Sequence, residues 1–509
     1  MFDTTTLLLL AFTLLLTLTY RTLQPSFKFP AASPKLTSIS SFPILGATKF
    51  FTARWQFFRH ARDQSPTGNF SFFLGKHPVV GLTGVEGRKT FFESRELGFG
   101  EGGQTRLIGG RYAVLFGQSP NALSESNVAI QDKDFAAPGG YFQKRITKML
   151  RTENFGKSLP HLMKDVRASM DKLAQDPKGI TDPFESLYRV VFQLTMRIVG
   201  CDDIAEDPVL LEKTLKLYET VEASTNATTI LFPWLPTISS IKRTVAGGRI
   251  YMIFNKIVND RKKNGTRRDD PLQFLMDQAD SMERIIEFVV GALFAGLLNS
   301  GVNVAWVLTY LSTSPYWLSK IRSEITSAAS KHCPDSSLPL IDQLTHIPVE
   351  AWESEFPNLD LCLKDSIRLQ MPGTAFRKNI SGRDIPSGTP GEVIPADAFV
   401  AYALGDISLN PEVYTDPETW DPSRYLPGRE EDKKVPHAYI GWGSGRHPCL
   451  GMRFAKLEQN IITAFFLAMF DFELTDSKGV RMAEPPKPDF DAHSAEKPKV
   501  RPFLKYKLR

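Results

Sequence analysis

The sequence is poor in cysteine, and its few cysteines are scattered. Among 509 residues there are four, Cys201, Cys333, Cys362 and Cys449, and none forms a CxxC pair. This spacing supports neither a disulfide framework nor a zinc site, and it favours a reducing compartment. The net charge of +5 is also small. It is too weak to indicate a nucleic-acid partner, but it is compatible with an anionic membrane surface or an acidic protein partner.

Charge is absent from two long stretches. Residues 4–20 form a leucine-rich run of 17 residues that ends at Arg21. The run has no basic start and no small-residue cleavage site, so we predict a retained single-span anchor rather than a signal peptide, with the main domain on the cytoplasmic side. Residues 288–310 also lack charge. Their glycines and asparagines are unsuited to a lone lipid-facing helix, so this segment is predicted to be a buried core helix.

The remaining pattern predicts one large domain. Prolines at positions 25, 30, 34 and 43 indicate an extended linker. We therefore expect an anchor at residues 1–21, a proline-rich linker at 22–43 and a single domain at 44–509. Residues 69–74 and 79–83 alternate like the two strands of a hairpin.

Further along, apolar spacing predicts helices at residues 184–200 and 208–223. The apolar loop at 230–236 fits either a core plug or a membrane contact. The charged run at 261–270 is typical of a solvated loop.

A glycine-rich loop surrounds the last cysteine, with the sequence GWGSGRHPCLG at residues 441–451. A thiolate that is a permanent iron ligand needs a sharply bent backbone, amide hydrogen bonds to its sulfur and room for the cofactor. Gly443, Gly445 and Gly451 allow the bend and the close approach, and Pro448 fixes φ before the cysteine. A helix predicted from about residue 452 to 469 would direct its positive end towards the sulfur.

This loop resembles the haem-binding loop of cytochromes P-450. The family pattern is Phe-x-x-Gly-x-(Arg/His)-x-Cys-x-Gly, followed by x-x-x-Ala-x-x-Glu. The matching residues are Gly445, His447, Cys449, Gly451, Ala455 and Glu458, and Trp442 replaces the phenylalanine. A lone cysteine is more often a buried structural thiol, but the surrounding pattern favours a ligand. The resemblance implies a mostly helical cytochrome P-450 fold with small β-sheets, and haem b with Cys449 as its axial ligand.

The uncharged helix departs from the family at the oxygen-activating motif. The family pattern is (Ala/Gly)-Gly-x-(Asp/Glu)-Thr-(Thr/Ser), and residues 295–300 read AGLLNS. The resemblance implies that Ala295, Asn299 and Ser300 carry or border the chemistry. Leucine in place of the acid relays no proton, while the amide of Asn299 can hold a water. Ser300 lies about 100° around the helix from Asn299, so it would need a local bulge to replace the threonine.

Asn299 followed by Trp306 is similar to the prostacyclin synthase and cholesterol 7α-hydroxylase group. That group contains both an isomerase that needs no external electrons and ordinary hydroxylases, so Asn299 alone does not choose between them. Its other interpretation is a polar residue that merely bends the helix.

Several cations take family positions. Asp365 and Arg368, with Arg424 from the segment WDPSRY, resemble the structural ion pair that supports the cysteine loop. The resemblance also implies that Arg377 and His447 hold the haem propionates. In the front half, Arg145 has suitable spacing after Tyr141, with Lys148 as the competing choice.

The sequence thus predicts a haem-thiolate monooxygenase that oxidises a lipophilic terpenoid, sterol or polyketide, with O2 and electrons from NADPH–cytochrome P-450 reductase. The chain contains no flavin or nicotinamide fingerprint of its own, and Arg446, Arg453 and Lys456 are candidates for the face that meets the reductase. The resemblance implies a single-pass protein of the endoplasmic reticulum membrane with a cytosolic domain. A reductase-independent isomerase or dehydratase, and a haem-binding protein without turnover, are the alternatives.

Overall fold

The structure is a computed structural model that describes residue 13 and residues 25–39, 41–99, 140–224, 226–231, 235–371, 373–492 and 495–509. The anchor predicted within residues 1–21 lies outside the described residues apart from Thr13, as does the tip of the apolar loop at residues 232–234.

Helices dominate the described fold, as the sequence predicted. In chain order they are α1 (Lys49–Thr52), α2 (Arg54–Asp63), α3 (Gly84–Glu93), α4 (Tyr141–Met149), α5 (Thr152–Ala174), α6 (Pro183–Val199), α7 (Asp202–Ala205), α8 (Pro208–Ala223), α9 (Ala227–Leu231), α10 (Ile238–Asn264), α11 (Pro271–Asp277), α12 (Met282–Leu311), α13 (Pro315–His332), α14 (Leu340–Gln343), α15 (Val349–Ser354), α16 (Pro357–Leu369), α17 (Gly405–Ser408) and α18 (Met452–Met469). Short 3-10 turns lie at Leu344–His346, Pro422–Tyr425 and Glu431–Lys433.

The strands are short and form small sheets. They are β1 (Ser41–Phe42), β2 (Gly46–Ala47), β3 (Phe70–Leu74), β4 (His77–Leu82), β5 (Leu97–Gly98), β6 (Ile180–Thr181), β7 (Thr374–Asn379), β8 (Ile385–Pro386), β9 (Val393–Ile394), β10 (Phe399–Ala403), β11 (Gly443–Ser444), β12 (His447–Pro448), β13 (Phe470–Thr475) and β14 (Phe503–Leu508). The largest sheet has the order β1-β2-β3-β4-β10-β7-β5. The predicted hairpin is confirmed, because β3 and β4 pair antiparallel with Phe70 opposite Gly81.

Helix α12 crosses the centre of the helical core. Nearly three quarters of its most apolar 18 residues, 72%, are buried, so it is a core helix, as predicted, although its length and composition would also suit a membrane span. It packs along α6, α16 and α18. A Cβ atom added to Gly301 would lie 2.6 Å from the Tyr188 ring, so glycine is what lets α6 approach α12 this closely.

Two predicted helices owe their sharp starts to an Asp-Pro pair. The side chain of Asp182 accepts a hydrogen bond from the Phe184 amide, and Asp207 accepts from the amides of Val209 and Leu210. The proline that follows each aspartate has no amide hydrogen to leave unsatisfied in the first turn. Both helices, α6 and α8, are confirmed.

The prediction of a solvated loop at residues 261–270 is wrong at both ends. Helix α10 continues to Asn264 and ends at Gly265, whose φ is +65°. The first residue of the run, Arg261, is buried and pairs with Asp270 and Asp203. Asp270 is buried as well and caps α11 by accepting from the Gln273 amide. The first and last charges of the run therefore hold helix ends together, whereas Lys262, Lys263, Arg267 and Asp269 between them are exposed as expected.

Candidate active site

The cysteine loop is a tight hairpin followed at once by a helix. Strands β11 and β12 pair antiparallel, with Gly443 opposite Pro448 and Ser444 opposite His447. Gly443 and Gly445 have φ of +72° and +59°, a region that side-chain-bearing residues rarely adopt. The Cys449 amide donates to the Trp442 carbonyl at 2.7 Å, which closes the hairpin before α18 begins.

Cys449 is exposed, unlike the other three cysteines of the chain. The protein packed around its sulfur raises the pKa of the thiol, and hydrogen bonds from the amides of Gly451 and Met452 act in the opposite direction. Gly451 has an ordinary φ of −91°, and a Cβ atom built there would meet none of the described protein atoms within 4 Å. The described residues therefore leave open space beside Gly451, which fits a flat cofactor beside the loop.

Helix α12 brings two of its three predicted site residues together. Ala295 and Asn299, one turn apart, are both exposed on one face. The Asn299 side-chain amide donates to the Ala295 carbonyl at 3.1 Å, and Asn303 donates to the Asn299 carbonyl at 2.8 Å. The side-chain oxygen of Asn299 has no hydrogen-bond partner among the described residues. Leu298, at the position of the family acid, packs beside the buried cluster of Phe184 and Trp306.

The third residue, Ser300, is not placed with the other two. It is 2% exposed, and its hydroxyl donates to the buried carboxyl of Glu458 in α18. Helix α12 is continuous from Met282 to Leu311, so no bulge turns Ser300 towards Asn299. The geometric condition under which Ser300 could replace the threonine is therefore not met.

Glu458 matches the family pattern, but the sequence analysis assigned it no role. Burial raises its pKa to about 8, although hydrogen bonds from Ser300 and Thr195 oppose the shift. The Thr195 hydroxyl lies 3.5 Å from Oε2, and Oε1 has no hydrogen-bond partner among the described residues. A carboxyl that is neutral near pH 7 thus joins α6, α12 and α18 behind the cysteine loop.

Arg377 on β7 is a buried cation that has no carboxylate partner among the described residues. It is 3% exposed, one guanidinium nitrogen donates to the Phe376 carbonyl at 2.7 Å, and Nε finds no partner among the described residues. Burial lowers its pKa to about 9. The guanidinium lies 4.7 Å from the centre of the Phe99 ring, and His447 stacks on the same ring at 4.9 Å. A buried guanidinium with a spare donor suits a carboxylate from a bound molecule.

Arg145, in contrast, already has its acid. Its guanidinium binds both oxygens of Asp280, at 2.9 and 2.7 Å, and the Tyr141 hydroxyl donates to the same carboxylate at 2.8 Å. The competing candidate, Lys148, is exposed. Arg145 therefore forms an ion pair between α4 and the segment just before α12.

The predicted scaffold ion pair forms in full. Asp365 contacts Arg368 at 2.7 Å and Arg424 at 3.1 Å, and all three side chains are essentially without exposure. The shorter aspartate is also bonded by the Asp421 amide at 2.6 Å and the Tyr425 hydroxyl at 2.8 Å. Aspartate is one methylene shorter than the family's glutamate, and these two donors hold its carboxylate between the arginines.

Sequence reasoning missed a second carboxylate in this network. Glu431 lies 2.7 Å from Arg424, and only its position seven residues after that arginine could have suggested it. Asp365 is therefore shared by both buried guanidiniums, and Glu431 is a second carboxylate for Arg424.

The three cations near the cysteine loop differ in whether a carboxylate pairs with them. Arg446 is exposed, whereas Arg453 pairs with Glu353 at 2.9 Å and Lys456 pairs with Asp360. Two of the three positive charges predicted for a docking face are therefore partly neutralised by neighbouring acids.

Comparisons with known proteins agree with this geometry. The sequence model of the family described as Cytochrome P450 matches residues 40–498. The chain belongs to the cytochrome P450 family. Among its relatives, cytochrome P450 monooxygenase AacuE of Aspergillus aculeatus is 36% identical over 88% of this chain and 87% of that protein. Cytochrome P450 monooxygenase nsrP of Aspergillus novofumigatus is 37% identical over 88% and 85%.

The family and fold predictions are thereby confirmed, and the protein is an enzyme, a cytochrome P450 monooxygenase. A solved structure of this P450 fold is the cyanobacterial CYP120A1 with bound retinoic acid. It superposes with a TM-score of 0.69 over 96% of this chain and 100% of that one, at 19% identity. That likeness concerns the fold alone.

Proposed function

We propose that this P450 holds haem b through the Cys449 thiolate and uses O2 to hydroxylate, epoxidise or further oxidise a lipophilic small molecule. The observation that carries the proposal is the exposed residue Cys449, whose sulfur receives two amide hydrogen bonds beside a hairpin with two positive-φ glycines. When bound, the haem would supply oxygen activation, and the Cys449 sulfur would hold its iron.

The cations near the loop would hold the cofactor's acidic edge. Arg377 is the strongest candidate, because its buried Nε lacks a partner among the described residues and no carboxylate offsets its burial. His447 shares the Phe99 ring with it. Arg145 is a weaker candidate than the sequence suggested, since Asp280 already satisfies its guanidinium. Trp442, Gly445 and Gly451 would shape the loop beneath the ring.

Asn299 would position a water or a substrate hydroxyl. Its amide nitrogen is fixed by the Ala295 carbonyl, so the side-chain oxygen is presented at a defined place on the exposed face of α12. An amide accepts and donates hydrogen bonds but is a poor source of protons. Protons would therefore come from the water or substrate hydroxyl that Asn299 holds, and Ala295 would leave room for it.

Electrons would come from NADPH–cytochrome P450 reductase. The chain carries no flavin or nicotinamide fingerprint, and the exposed Arg446 lies in the cysteine loop itself, where an acidic partner could approach. The substrate would be a terpenoid, sterol or polyketide. In support of a sterol-like class, one relative named sterol 14-demethylase, from Arabidopsis thaliana, is 30% identical over 48% of this chain and 50% of that protein.

The protein would be held at the endoplasmic reticulum membrane by a single span within residues 1–21, followed by the linker at 22–43 and a cytosolic haem domain at 44–509. A further support is the surface of α10, where Ile238, Ile241, Val245 and Met252 are 75, 56, 49 and 61% exposed. Their spacing puts them on one side of the helix, directly after the apolar loop at 230–236. In a chain without residues 1–21, replacing Ile238 and Ile241 by aspartate should lower the fraction that binds lipid vesicles, and an unchanged fraction would remove α10 from the contact.

The decisive experiment follows oxygen atoms. The gene is disrupted in the producing organism, and the disrupted strain is complemented with the wild-type or the Asn299→Thr gene. The strains are then grown under isotopically labelled O2. Labelled oxygen in the product, or loss of hydrogens at an oxidised carbon, is expected from the wild type. A substrate and product that differ only by rearrangement or by water would overturn the monooxygenase proposal.

One observation favours the second candidate, a reductase-independent isomerase or dehydratase. Neither Leu298 nor Asn299 offers an acidic proton on α12, and Ser300 is turned away towards Glu458. An enzyme that cleaves no O–O bond of O2 would tolerate this arrangement. Asn299→Thr should abolish such an activity if the amide has a specific role, whereas it should preserve or improve product formation by a monooxygenase.

A further inference from the structure

The last turn of α3 is clamped onto the cysteine loop. The Phe92 carbonyl accepts a hydrogen bond from the Arg446 amide at 3.2 Å. A Cβ atom on Gly445 would lie 2.3 Å from that same carbonyl oxygen, so the two backbones are as close as glycine permits. Earlier in α3, the Arg88 side chain donates to the Pro436 carbonyl at 3.1 Å. Segments on both sides of the loop's first strand are thus tied to one helix.

A chain of three side chains completes this clamp. The His437 ring lies between two partners, with Nδ1 at 2.6 Å from the Ser444 hydroxyl and Nε2 at 2.8 Å from the Glu93 carboxylate. A carboxylate only accepts, so Nε2 carries the hydrogen on that side. In the neutral ring Nδ1 then accepts the hydrogen of the Ser444 hydroxyl. Glu93 thereby fixes the orientation of a ring that in turn fixes a residue of β11.

The backbone of His437 is held in an uncommon conformation. Its φ is +54°, in the left-handed region, which a residue with a side chain occupies only when its surroundings enforce it. The Phe92 ring packs against the imidazole at 5.3 Å between centroids. The ring is therefore fixed at both nitrogens and on one face, and these contacts offset the backbone cost.

We propose that Glu93, His437 and Ser444 form a positioning chain that sets the geometry of the cysteine loop and, through it, the electron donation of Cys449. This inference rests on the proposed haem-thiolate function. Ser444 pairs across the hairpin with His447, and the same hairpin ends in Cys449. If the chain is cut, the hairpin relaxes and the amide hydrogen bonds to the sulfur lengthen. A less strongly bonded thiolate donates more charge to the iron and lowers its reduction potential.

The test cuts the chain at both ends in the full-length, haem-loaded protein. The variants are Ser444→Ala, Glu93→Ala and the two combined, with Ser444→Thr as the conservative rescue. Glu86→Ala is the matched control, because Glu86 is also in α3 but its side chain pairs, among the described residues, with Lys89 at the surface. The readouts are the midpoint potential of the haem iron and the rate of haem transfer to an excess of an apo-globin.

We expect Ser444→Ala and Glu93→Ala each to lower the potential and to speed haem loss about three- to tenfold, the range for one lost hydrogen bond. Because the Glu93 side chain reaches the loop, among the described residues, through His437 alone, the double variant should be no worse than the worse single variant. Ser444→Thr and Glu86→Ala should match the wild type.

Unchanged potentials, or effects of the two substitutions that simply add, would overturn the positioning chain. A separate absorption measurement distinguishes a failure of the positioning chain from a failure of the proposed haem-thiolate function. If the reduced wild-type protein with carbon monoxide lacks the absorption of a thiolate-ligated haem, the ligand assignment itself is wrong, whatever the variants do.

Discussion

The buried carboxyl of Glu458 makes the stability of this enzyme depend on pH in an unusual direction. Its pKa is raised by burial from 4.5 to about 8, so the folded protein keeps the proton after the unfolded chain has lost it. The stability that Glu458 contributes is therefore fully present below pH 4.5 and declines as pH rises towards 8. Each pH unit in that window costs about 1.4 kcal/mol, so the interval from pH 5.5 to 7.5 costs about 3 kcal/mol.

Glu458→Gln removes the titration and keeps the shape of the side chain. Relative to wild type, the variant should gain about 3 kcal/mol between pH 5.5 and 7.5. Unfolding entropy for a chain of this length is about 1 kcal/mol per degree, so the gain corresponds to about 3 °C in Tm. The assay is thermal unfolding of the haem-loaded protein, followed by circular dichroism, at the two pH values.

The matched control is Glu473→Gln, an exposed carboxylate on β13 with only a 3.7 Å contact to Lys505. Its Tm difference from wild type should stay constant between the two pH values. If the Glu458→Gln difference also stays constant, the carboxyl is not neutral in the folded protein and the reasoning from its burial fails.

Four further substitutions test the cofactor site and its scaffold. Cys449→Ser should leave the fold intact but abolish thiolate-ligated haem, seen as loss of its absorption with carbon monoxide in the reduced protein. Arg377→Gln should reduce haem retention in a titration with hemin, because it removes the buried guanidinium with a spare donor, while Arg145→Gln should lower Tm without affecting retention. Asp365→Asn should destabilise the protein by about 3–5 kcal/mol, since Arg368 and Arg424 would be left buried without their shared carboxylate; urea unfolding measures this.

Each of these expectations has a clear contradiction. Thiolate-type absorption that persists in Cys449→Ser would remove Cys449 as the ligand. Haem retention that falls more with Arg145→Gln than with Arg377→Gln would return the propionate role to the front half of the chain. An Asp365→Asn protein as stable as wild type would show that the two guanidiniums do not depend on the charge of Asp365.

Local patterns predicted the elements that positioned the site. Apolar spacing within the segments predicted α6 and α8, and the structure shows that their starts are also set locally, by Asp182 and Asp207. The loop around Cys449 was predictable for the same reason, since its bend depends on glycines in the loop itself.

Long-range partners were not predictable, because no local pattern records which distant side chain a charge will meet. Arg145 finds Asp280, 135 residues away, instead of a cofactor. Arg261 is buried against Asp203 and Asp270, although its neighbours in sequence suggested a solvated loop. In each case the partner of the arginine depends on how distant helices pack, which spacing along the sequence does not show.

The departures of α12 from the family pattern form one consistent arrangement. Leu298 is partly buried and packs beside Phe184 and Trp306, where a carboxylate would lie against aromatic rings at a cost. With no acid there, Asn299 is the polar group that remains on the exposed face, while Ser300, about 100° further around the helix, bonds the buried Glu458 carboxyl. Restoring the family acid at position 298 would therefore disturb packing. Asn299→Thr restores the family alcohol and changes only the exposed face, so it is the substitution that separates chemistry from folding.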